Sequence, residues 1–208
     1  MLYRFIVITF MVQSLMFLVG CSTNKLPPAI PAASLTTSVD NYSYLIGPGD
    51  TLNIFVWRNP EVSGSFIVRP DGKITTSLVE DLEVSGKTPT QLARTLEEEL
   101  AKYIREPIVT VSVTGFVGPF SEQVRVIGEA VNPRSINYRE RMTLLDLMIE
   151  VGGLTEFADG DGAKLIRVID NQQREFDIDI DTLVRRGEIE ANVDLLPGDI
   201  IIIPEAWF

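Results

Sequence analysis

A single cysteine limits how this chain can stabilise a fold. Cys21 is the one cysteine among 208 residues, so no disulfide can form within the chain. A folded domain must therefore be stabilised by buried apolar side chains, and 45% of the residues are hydrophobic, which is enough to build a core. Without its first 20 residues the chain is still long enough for one large or two small domains.

Residues 1–20 have the composition of a signal peptide. Arg4 precedes an apolar stretch from Phe5 to Val19, which at about 15 residues is short for a membrane span. The residues at its end resemble the lipobox of bacterial lipoproteins: Leu18, Val19, Gly20 and Cys21. The resemblance implies that the Cys21 thiol takes a diacylglyceryl group, that the chain is cleaved before Cys21, and that the new amine is acylated with a fatty acid such as palmitate. The alternative is an uncleaved N-terminal helix with an incidental cysteine.

An acylated Cys21 would anchor the protein to a membrane. Each buried CH2 contributes about 0.8 kcal/mol, and two or three acyl chains give durable attachment. Ser22 stands where an Asp tends to retain such lipoproteins in the inner membrane, so the resemblance favours the outer membrane, with the protein facing the periplasm. Asn24 to Val39 is rich in Pro, Ala, Ser and Thr. This composition predicts that residues 21–41 form a lipidated, flexible tether.

The amino-acid composition also limits which catalytic and binding sites the chain can form. The chain has no histidine, which excludes Ser-His-Asp and Cys-His catalysis and every zinc site that uses histidine. Its net charge of −11 argues against a nucleic-acid partner. Carboxylate-pair chemistry remains, but no motif singles out a pair among 29 acidic residues. We therefore expect no catalytic residues, no metal site and no cofactor.

Residues 42–117 have the pattern of one α+β unit. Strands are predicted over 52–56, 65–68, 73–76 and 108–113. Pro70-Asp71-Gly72, between the second and third of them, predicts a hairpin. Thr88 to Gln91 has the sequence of a capping box and predicts the start of a helix that Pro107 ends. The apolar stripe of this helix would consist of Leu92, Leu96, Leu100 and Tyr103.

Residues 122–203 repeat this pattern after a junction at 115–122. Strands are predicted over 124–127, 135–138, 164–169, 174–178 and 200–203. A turn at 131–134 joins the first two strands. Thr143 caps a second helix, which Gly152 and Gly153 end. Its apolar stripe would consist of Leu144, Leu147, Met148 and Val151. Residues 204–208 form a short C-terminal tail.

The tripeptide Pro-Gly-Asp occurs twice, each time directly before an apolar strand. The two copies are Pro48-Gly49-Asp50 and Pro197-Gly198-Asp199. Pro and Gly favour turns, and Asp side chains accept hydrogen bonds from backbone N–H groups there. Because the tripeptide is a common turn sequence, its repetition is weak evidence for an internal duplication.

Two acidic segments raise the alternative of a calcium site. Asp177, Asp179 and Asp181, followed by Glu188, have the ligand spacing of an EF-hand loop. However, Thr182 occupies the position at which the sharp turn of such a loop needs Gly. We therefore interpret 177–181 as a strand edge with a solvated acidic face. The other segment, 159–162, is interpreted as a flexible loop.

Several motifs together resemble one protein family. Tyr44 to Leu52 and Arg69 to Ile74 resemble the opening of the polysaccharide biosynthesis/export domain of outer-membrane polysaccharide export lipoproteins. Val124 to Pro133, with Leu144 to Leu154, is similar to the soluble-ligand-binding β-grasp domain that follows it in that family. The motif positions expected to be structural are Gly47, Pro48, Gly49, Asp50, Pro70, Asp71, Gly72, Gly128, Pro133, Gly152, Gly153, Pro197, Gly198 and Asp199.

The resemblance implies a fold, an assembly and partners. The fold would be α+β, with a small export domain at 42–117 and one β-grasp domain at 122–203. The assembly would be a homo-oligomeric periplasmic ring under the outer membrane that passes a capsular or extracellular polysaccharide. An inner-membrane polysaccharide co-polymerase would be its partner. The alternative is a ligand-binding or structural lipoprotein of the cell envelope with no transport role.

Three features depart from the pore-forming members of that family. The chain ends five residues after Ile203, where such members carry an amphipathic helix of about 20 residues or more. It has one β-grasp repeat, and Arg134 follows Pro133 where Gly is usual. We therefore expect a periplasmic ring or adaptor that relies on a separate outer-membrane β-barrel. Trp207 and Phe208 would either dock on such a partner or pack against the last strand.

Overall fold

The computed structural model describes residue 29 and residues 31–36, 39–40 and 42–207. The predicted signal peptide, its lipobox, Cys21 and Phe208 lie outside the described residues. The strands are β1 (Thr51–Val56), β2 (Gly64–Ile67), β3 (Lys73–Ile74), β4 (Leu82–Glu83), β5 (Val109–Gly115), β6 (Gln123–Gly128), β7 (Ser135–Asn137), β8 (Lys164–Ile169), β9 (Gln172–Asp177) and β10 (Ile200–Ile203). The α-helices are α1 (Pro89–Leu100), α2 (Leu144–Val151) and α3 (Ile180–Val184).

The first sheet is antiparallel and has the order β2–β1–β5, so that β1 is its central strand. Alternate side chains of β1 point into the core, where Leu52, Ile54 and Val56 are buried. Helix α1 packs against β5. It begins with the predicted capping box, in which Thr88 and Gln91 each accept a hydrogen bond from the other's backbone N–H.

The second sheet is mixed and has the order β7–β6–β10–β8–β9. Its central strand, β10, comes from the end of the chain and runs parallel to β6 and antiparallel to β8. The four apolar residues predicted on the stripe of α2 are all buried. Gly152 ends that helix in the left-handed conformation with φ +80°, as the sequence predicts.

Buried apolar side chains form two separate clusters. The first core surrounds Leu52, Ile54 and the buried face of α1, and the second surrounds Val124, Ile201 and the buried face of α2. Strands are mostly antiparallel and the helices are few, which is consistent with the α+β class that the sequence predicts.

The predicted hairpin around Pro70-Asp71-Gly72 is wrong in its strand pairing. β2 pairs with β1, and β3 pairs with β4 in a separate two-stranded sheet. The turn itself forms, because the N–H of Gly72 donates to the carbonyl of Arg69 at 2.9 Å, and the N–H of Arg69 donates to Lys73 at 2.9 Å. The turn therefore leads the chain from one sheet to another, a choice of partner that a local turn sequence does not specify.

Helix α1 ends earlier than predicted. Its last residue is Leu100, whose carbonyl then accepts from the N–H groups of Tyr103 at 2.9 Å and Ile104 at 2.8 Å. This tightened turn takes Tyr103 off the apolar stripe, and its side chain is 64% exposed. Pro107 therefore lies beyond the end of the helix and does not terminate it.

The acidic segment 177–181 is not the strand edge that its alternation predicts. β9 ends at Asp177, and Asp179 instead caps α3 by accepting from the N–H of Thr182 at 2.8 Å. Ile178 and Ile180 are both buried in the second core. Their burial draws the chain inward and allows a short helix to begin where the pattern predicts continued strand.

Candidate functional site

Both Pro-Gly-Asp sequences form the same turn, and each leads into the central strand of a sheet. In the first turn the N–H of Asp50 donates to the carbonyl of Gly47 at 3.2 Å. The N–H of Gly47 donates back to the Asp50 carboxylate at 2.9 Å. Gly49 has φ +91°, and Pro followed by Gly at positive φ is the pattern of a type II turn.

The second turn has the same bonds at Leu196 and Asp199. The N–H of Asp199 donates to the carbonyl of Leu196 at 3.2 Å. The N–H of Leu196 donates to the Asp199 carboxylate at 2.7 Å. Gly198 has φ +88°. The two turns lead into β1 and β10, so equivalent local structures begin the central strands of both sheets.

The Asp50 carboxylate connects the first turn to the junction segment, residues 115–122. It is fully buried and accepts from the N–H of Val117 at 2.7 Å and the N–H of Gly118 at 2.8 Å. The hydroxyl of Tyr44 donates to it at 2.7 Å. Burial, and then the hydrogen bond to Asp50, raise the pKa of Tyr44. Several donors thus replace the water that a buried carboxylate loses.

The Asp199 carboxylate is fully buried too, but its charge is balanced by an arginine. Arg167 on β8 donates through Nε at 2.8 Å and through Nη2 at 2.7 Å, one bond to each carboxylate oxygen. This two-point geometry is the strong form of an arginine–carboxylate pair. The backbone carbonyl of Asp199 also accepts from the N–H of Arg125 on β6 at 2.9 Å. Asp199 therefore ties β10 to both neighbouring strands.

The junction segment passes against both turns. A Cβ on Gly47 would lie 2.1 Å from the carbonyl carbon of Gly118, and a Cβ on Gly198 would lie 2.7 Å from the carbonyl oxygen of Ser121. Neither position has room for a side chain. The two motif glycines thus allow the junction segment to approach both turns closely, which makes the junction the candidate functional site.

Glu122, at the end of the junction segment, is a buried acid that belongs to none of the sequence motifs. Its side chain is 5% exposed and accepts hydrogen bonds from residues 34–36, which lie within the predicted tether. No local pattern marks Glu122, because most of its partners are 86 to 88 residues away along the chain.

The remaining predicted motif residues form turns of their own. The carbonyl of Gly72 accepts from the N–H groups of Val84 and Ser85, each at 3.0 Å. Asp71 pairs with Arg69 on the surface at 2.5 Å. Gly128 has φ +91° at the end of β6. None of these three residues, nor Pro133, Gly152 or Gly153, belongs to the two turns beside the junction.

Three acidic residues of the segments considered as calcium sites, Asp161, Asp179 and Asp181, interact with each other or with an arginine. A hydrogen bond with Asp179 raises the pKa of Asp161, whereas bonds from Thr182 lower the pKa of Asp179. Asp181 pairs with Arg185 at 3.0 Å. Within the described part of the chain, no group of three or more Asp, Glu, His or Cys side chains is placed to hold a metal ion.

The other acidic segment considered as a calcium site, 159–162, is a hydrogen-bonded turn. The N–H of Gly162 donates to the Asp159 carboxylate at 3.0 Å, and the N–H of Asp159 donates to the carbonyl of Pro204 at 3.0 Å. The carbonyl of Gly160 accepts from the N–H of Ile180 at 3.0 Å. These bonds connect the segment both to the start of α3 and to the residue after β10, where the sequence predicts a free loop.

The C-terminal tail leaves an aromatic side chain in solvent. Trp207 is 99% exposed, so it does not pack against β10, which was one of its two predicted roles.

Among residues 29, 31–36, 39–40 and 42–207, no helix is long and apolar enough to cross a membrane.

Comparison with known proteins gives two family matches in sequence order. Residues 38–114 match the family described as polysaccharide biosynthesis/export protein, and residues 123–175 match the SLBB domain. The two matches flank the junction segment. The first match contains β1 and α1, and the second contains β6 and α2.

Curated relatives agree with these matches. The chain is 27% identical over 188 residues to the "EPS I polysaccharide export outer membrane protein EpsA" of Ralstonia nicotianae, which covers 78% of this chain and 47% of the relative. It is 27% identical over 205 residues to the "Exopolysaccharide production protein ExoF" of Rhizobium meliloti, which covers 90% of this chain and 47% of that protein. The chain thus spans about half the length of the curated relatives it matches. It belongs to the family of polysaccharide export proteins, with an export domain ahead of an SLBB domain.

Proposed function

We propose that this protein is a lipid-anchored periplasmic subunit of a machine that exports an extracellular or capsular polysaccharide. The observation that carries the proposal is the arrangement of the two family regions. They follow in the family's order, and equivalent Pro-Gly-Asp turns hold them against one junction segment. The relatives' names, which refer to polysaccharide export at the outer membrane, support the same function.

In this proposal the subunit has no catalytic role. The buried carboxylates of Asp50 and Asp199 are occupied by structural hydrogen bonds, so neither is available as a general acid or base. Passage of a long polymer requires weak, repeated polar contacts rather than one tight site. The subunit would provide such contacts as one copy in a homo-oligomeric ring, together with an inner-membrane polysaccharide co-polymerase. The two-domain division at 42–117 and 122–203 belongs to the same proposal.

The outward face of the first sheet has side chains suited to weak contacts with a polysaccharide. Phe55 and Trp57 are about half exposed, with ring centroids 6.3 Å apart. Thr110 lies beside Phe55, and Ser112 lies beside Asn53, in the register of β1 and β5. Aromatic rings next to hydroxyl and amide groups offer both stacking and hydrogen bonds to a sugar chain.

Acylation of Cys21 would place this subunit under the outer membrane. The lipobox and Ser22 support this location, and the separate outer-membrane exit partner expected from the sequence stays a prediction. The oligomeric state distinguishes this proposal from the alternative of a ligand-binding lipoprotein. An export ring must be a homo-oligomer, whereas a protein that only binds a ligand can work as a monomer. Native mass spectrometry of the detergent-solubilised protein would separate the two, since a monomer at all concentrations contradicts the ring.

The function itself is tested in a deletion strain. Surface and periplasmic polysaccharide would be measured with no complementation, with the wild type and with Cys21→Ala. Loss of surface polymer on deletion, with intracellular intermediates retained, supports export. Restoration by the wild type but not by Cys21→Ala supports the requirement for the anchor. Unchanged surface polymer on deletion would contradict the proposal and leave the ligand-binding alternative.

A further inference from the structure

A short N-terminal segment, residues 34–36, is bound by one buried carboxylate. The hydroxyl of Ser34 donates to the two oxygens of Glu122 at 3.1 and 2.9 Å, and the N–H of Leu35 donates to Oε1 at 2.5 Å. The hydroxyl of Thr36 donates to Oε2. Three consecutive residues thus converge on one side chain.

A local turn orients the segment for its hydrogen bonds to Glu122. The N–H of Thr36 donates to the hydroxyl oxygen of Ser34 at 3.0 Å, a local turn that directs all three donors to the same side. Within the described residues, the other donor to the Glu122 carboxylate is the hydroxyl of Ser121 at 3.2 Å. Most of the hydrogen bonding of this carboxylate therefore comes from the N-terminal segment.

The same segment lies close to one glycine on the side of each core. A Cβ on Gly86 would lie 3.2 Å from Cδ1 of Leu35, and a Cβ on Gly198 would lie 3.8 Å from Cβ of Ser34. Gly86 belongs to the first core's side, since its N–H donates to the carbonyl of the buried Ile46 at 2.8 Å. Gly198 lies in the turn that begins β10 of the second core. The segment and Glu122 therefore meet where the two cores adjoin.

We propose that Ser34–Thr36 is a strap that couples the N-terminal anchor region to the relative placement of the two cores. With the strap seated, Glu122 is buried and the two cores are held at one angle. With the strap released, the carboxylate is rehydrated, and the cores remain joined by the junction segment and by residues 42–46, in which Tyr42 packs on the second core and Ile46 lies in the first. Because the chain upstream of the strap leads to Cys21, tension from that end acts directly on these hydrogen bonds.

Amide hydrogen exchange tests whether the strap is seated. The full-length protein in detergent micelles would be compared with Glu122→Gln and with the double variant Ser34→Ala, Thr36→Val. We expect the Leu35 amide to lose at least tenfold of its protection in both. Glu129→Gln is the matched control, because Glu129 accepts from the hydroxyl of Thr155 at 2.6 Å away from the strap. Leu35 protection that is absent in the wild type, or unchanged in Glu122→Gln, overturns the proposal.

A distance measurement tests the coupling. Spin labels would be placed through Glu98→Cys and Arg174→Cys, two exposed positions on α1 and β9. We expect one narrow distance distribution in the wild-type and Glu129→Gln backgrounds, and a distribution at least twice as wide in both strap variants. Equal widths in all four backgrounds would overturn the coupling, even if Leu35 loses its protection.

Discussion

Asp50 and Asp199 occupy equivalent positions, but different partners stabilise their charges. Asp50 accepts from neutral donors, namely three backbone N–H groups and the Tyr44 hydroxyl. Asp199 has the cationic Arg167. Replacing the carboxylate of Asp50 therefore changes only hydrogen bonding, whereas replacing that of Asp199 also leaves a cation without its counter-charge.

We predict that Asp50→Asn lowers the free energy of unfolding by about 3 kcal/mol. The amide keeps one acceptor oxygen, so its NH2 group must face either the N–H groups of Val117 and Gly118 or the N–H of Gly47. Urea unfolding followed by circular dichroism measures the change. Asp71→Asn is the control, because its carboxylate is on the surface and its loss should have little effect. Equal effects of the two substitutions would contradict the role of Asp50 at the junction.

Tyr42 gives a prediction in alkaline solution. Burial first, and then the negative charge of Glu122, raise the pKa of Tyr42 to about 12. A raised pKa means that folding favours the protonated phenol, so this stabilisation is complete below pH 10 and is lost as the pH rises through 12. Absorbance at 295 nm during alkaline titration should show a tyrosinate component near pH 12 that Tyr42→Phe removes. A Tyr42→Phe titration curve identical to that of the wild type would contradict the assignment.

At the scale of elements, the sequence predicts local features better than strand partners. The N-caps of α1 and α2 depend on residues three positions apart, so Thr88 and Thr143 identify both helix starts. The pairing of β3 with β4 instead of β2 depends on contacts that no turn sequence encodes. The same is true of α3, where burial of two isoleucines in the second core overrides an alternating pattern.

Gly128, at the end of β6, gives a prediction on the parallel pairing of β6 with β10. It has φ +91°, and a Cβ there would lie 1.9 Å from the carbonyl oxygen of Ile203. Gly153 has φ +86°, with no atom within 4 Å of its Cβ position among the described residues. Gly153→Ala should therefore cost about 1 kcal/mol from backbone strain alone. Gly128→Ala adds a clash and should cost about 3 kcal/mol, measured by urea unfolding.

Equal costs for these two glycines would indicate that β10 can move away from Gly128 without loss. In that case the close approach of the two strand ends would not contribute to stability. A larger cost at Gly128 would instead show that the last strand must be held against β6 by contact of the two backbones. The comparison is matched because both residues need positive φ.

At the scale of the whole molecule, the two family regions are recognisable from sequence, but the contacts that the junction makes with them are not. The motifs around Asp50 and Asp199 predict turns, because Gly47 and Leu196 lie three residues before them. The bonds from Val117 and Gly118 to Asp50 span 67 and 68 residues. Contacts at such separations depend on how the cores pack, so neither the hydrogen bonds of the predicted junction nor the strap could be predicted from local patterns.

The charge of the whole chain gives a prediction on assembly. Each copy carries a net charge of −11, so copies that approach in a ring repel one another. The Debye length falls from about 30 Å at 0.01 M salt to about 8 Å at 0.15 M, which screens this repulsion. If the proposed ring forms through mainly uncharged contacts, the oligomeric fraction seen by light scattering should rise severalfold over this range at constant protein concentration. A fraction that falls with salt would instead show that complementary charges hold the copies together, which contradicts an interface of mainly uncharged contacts.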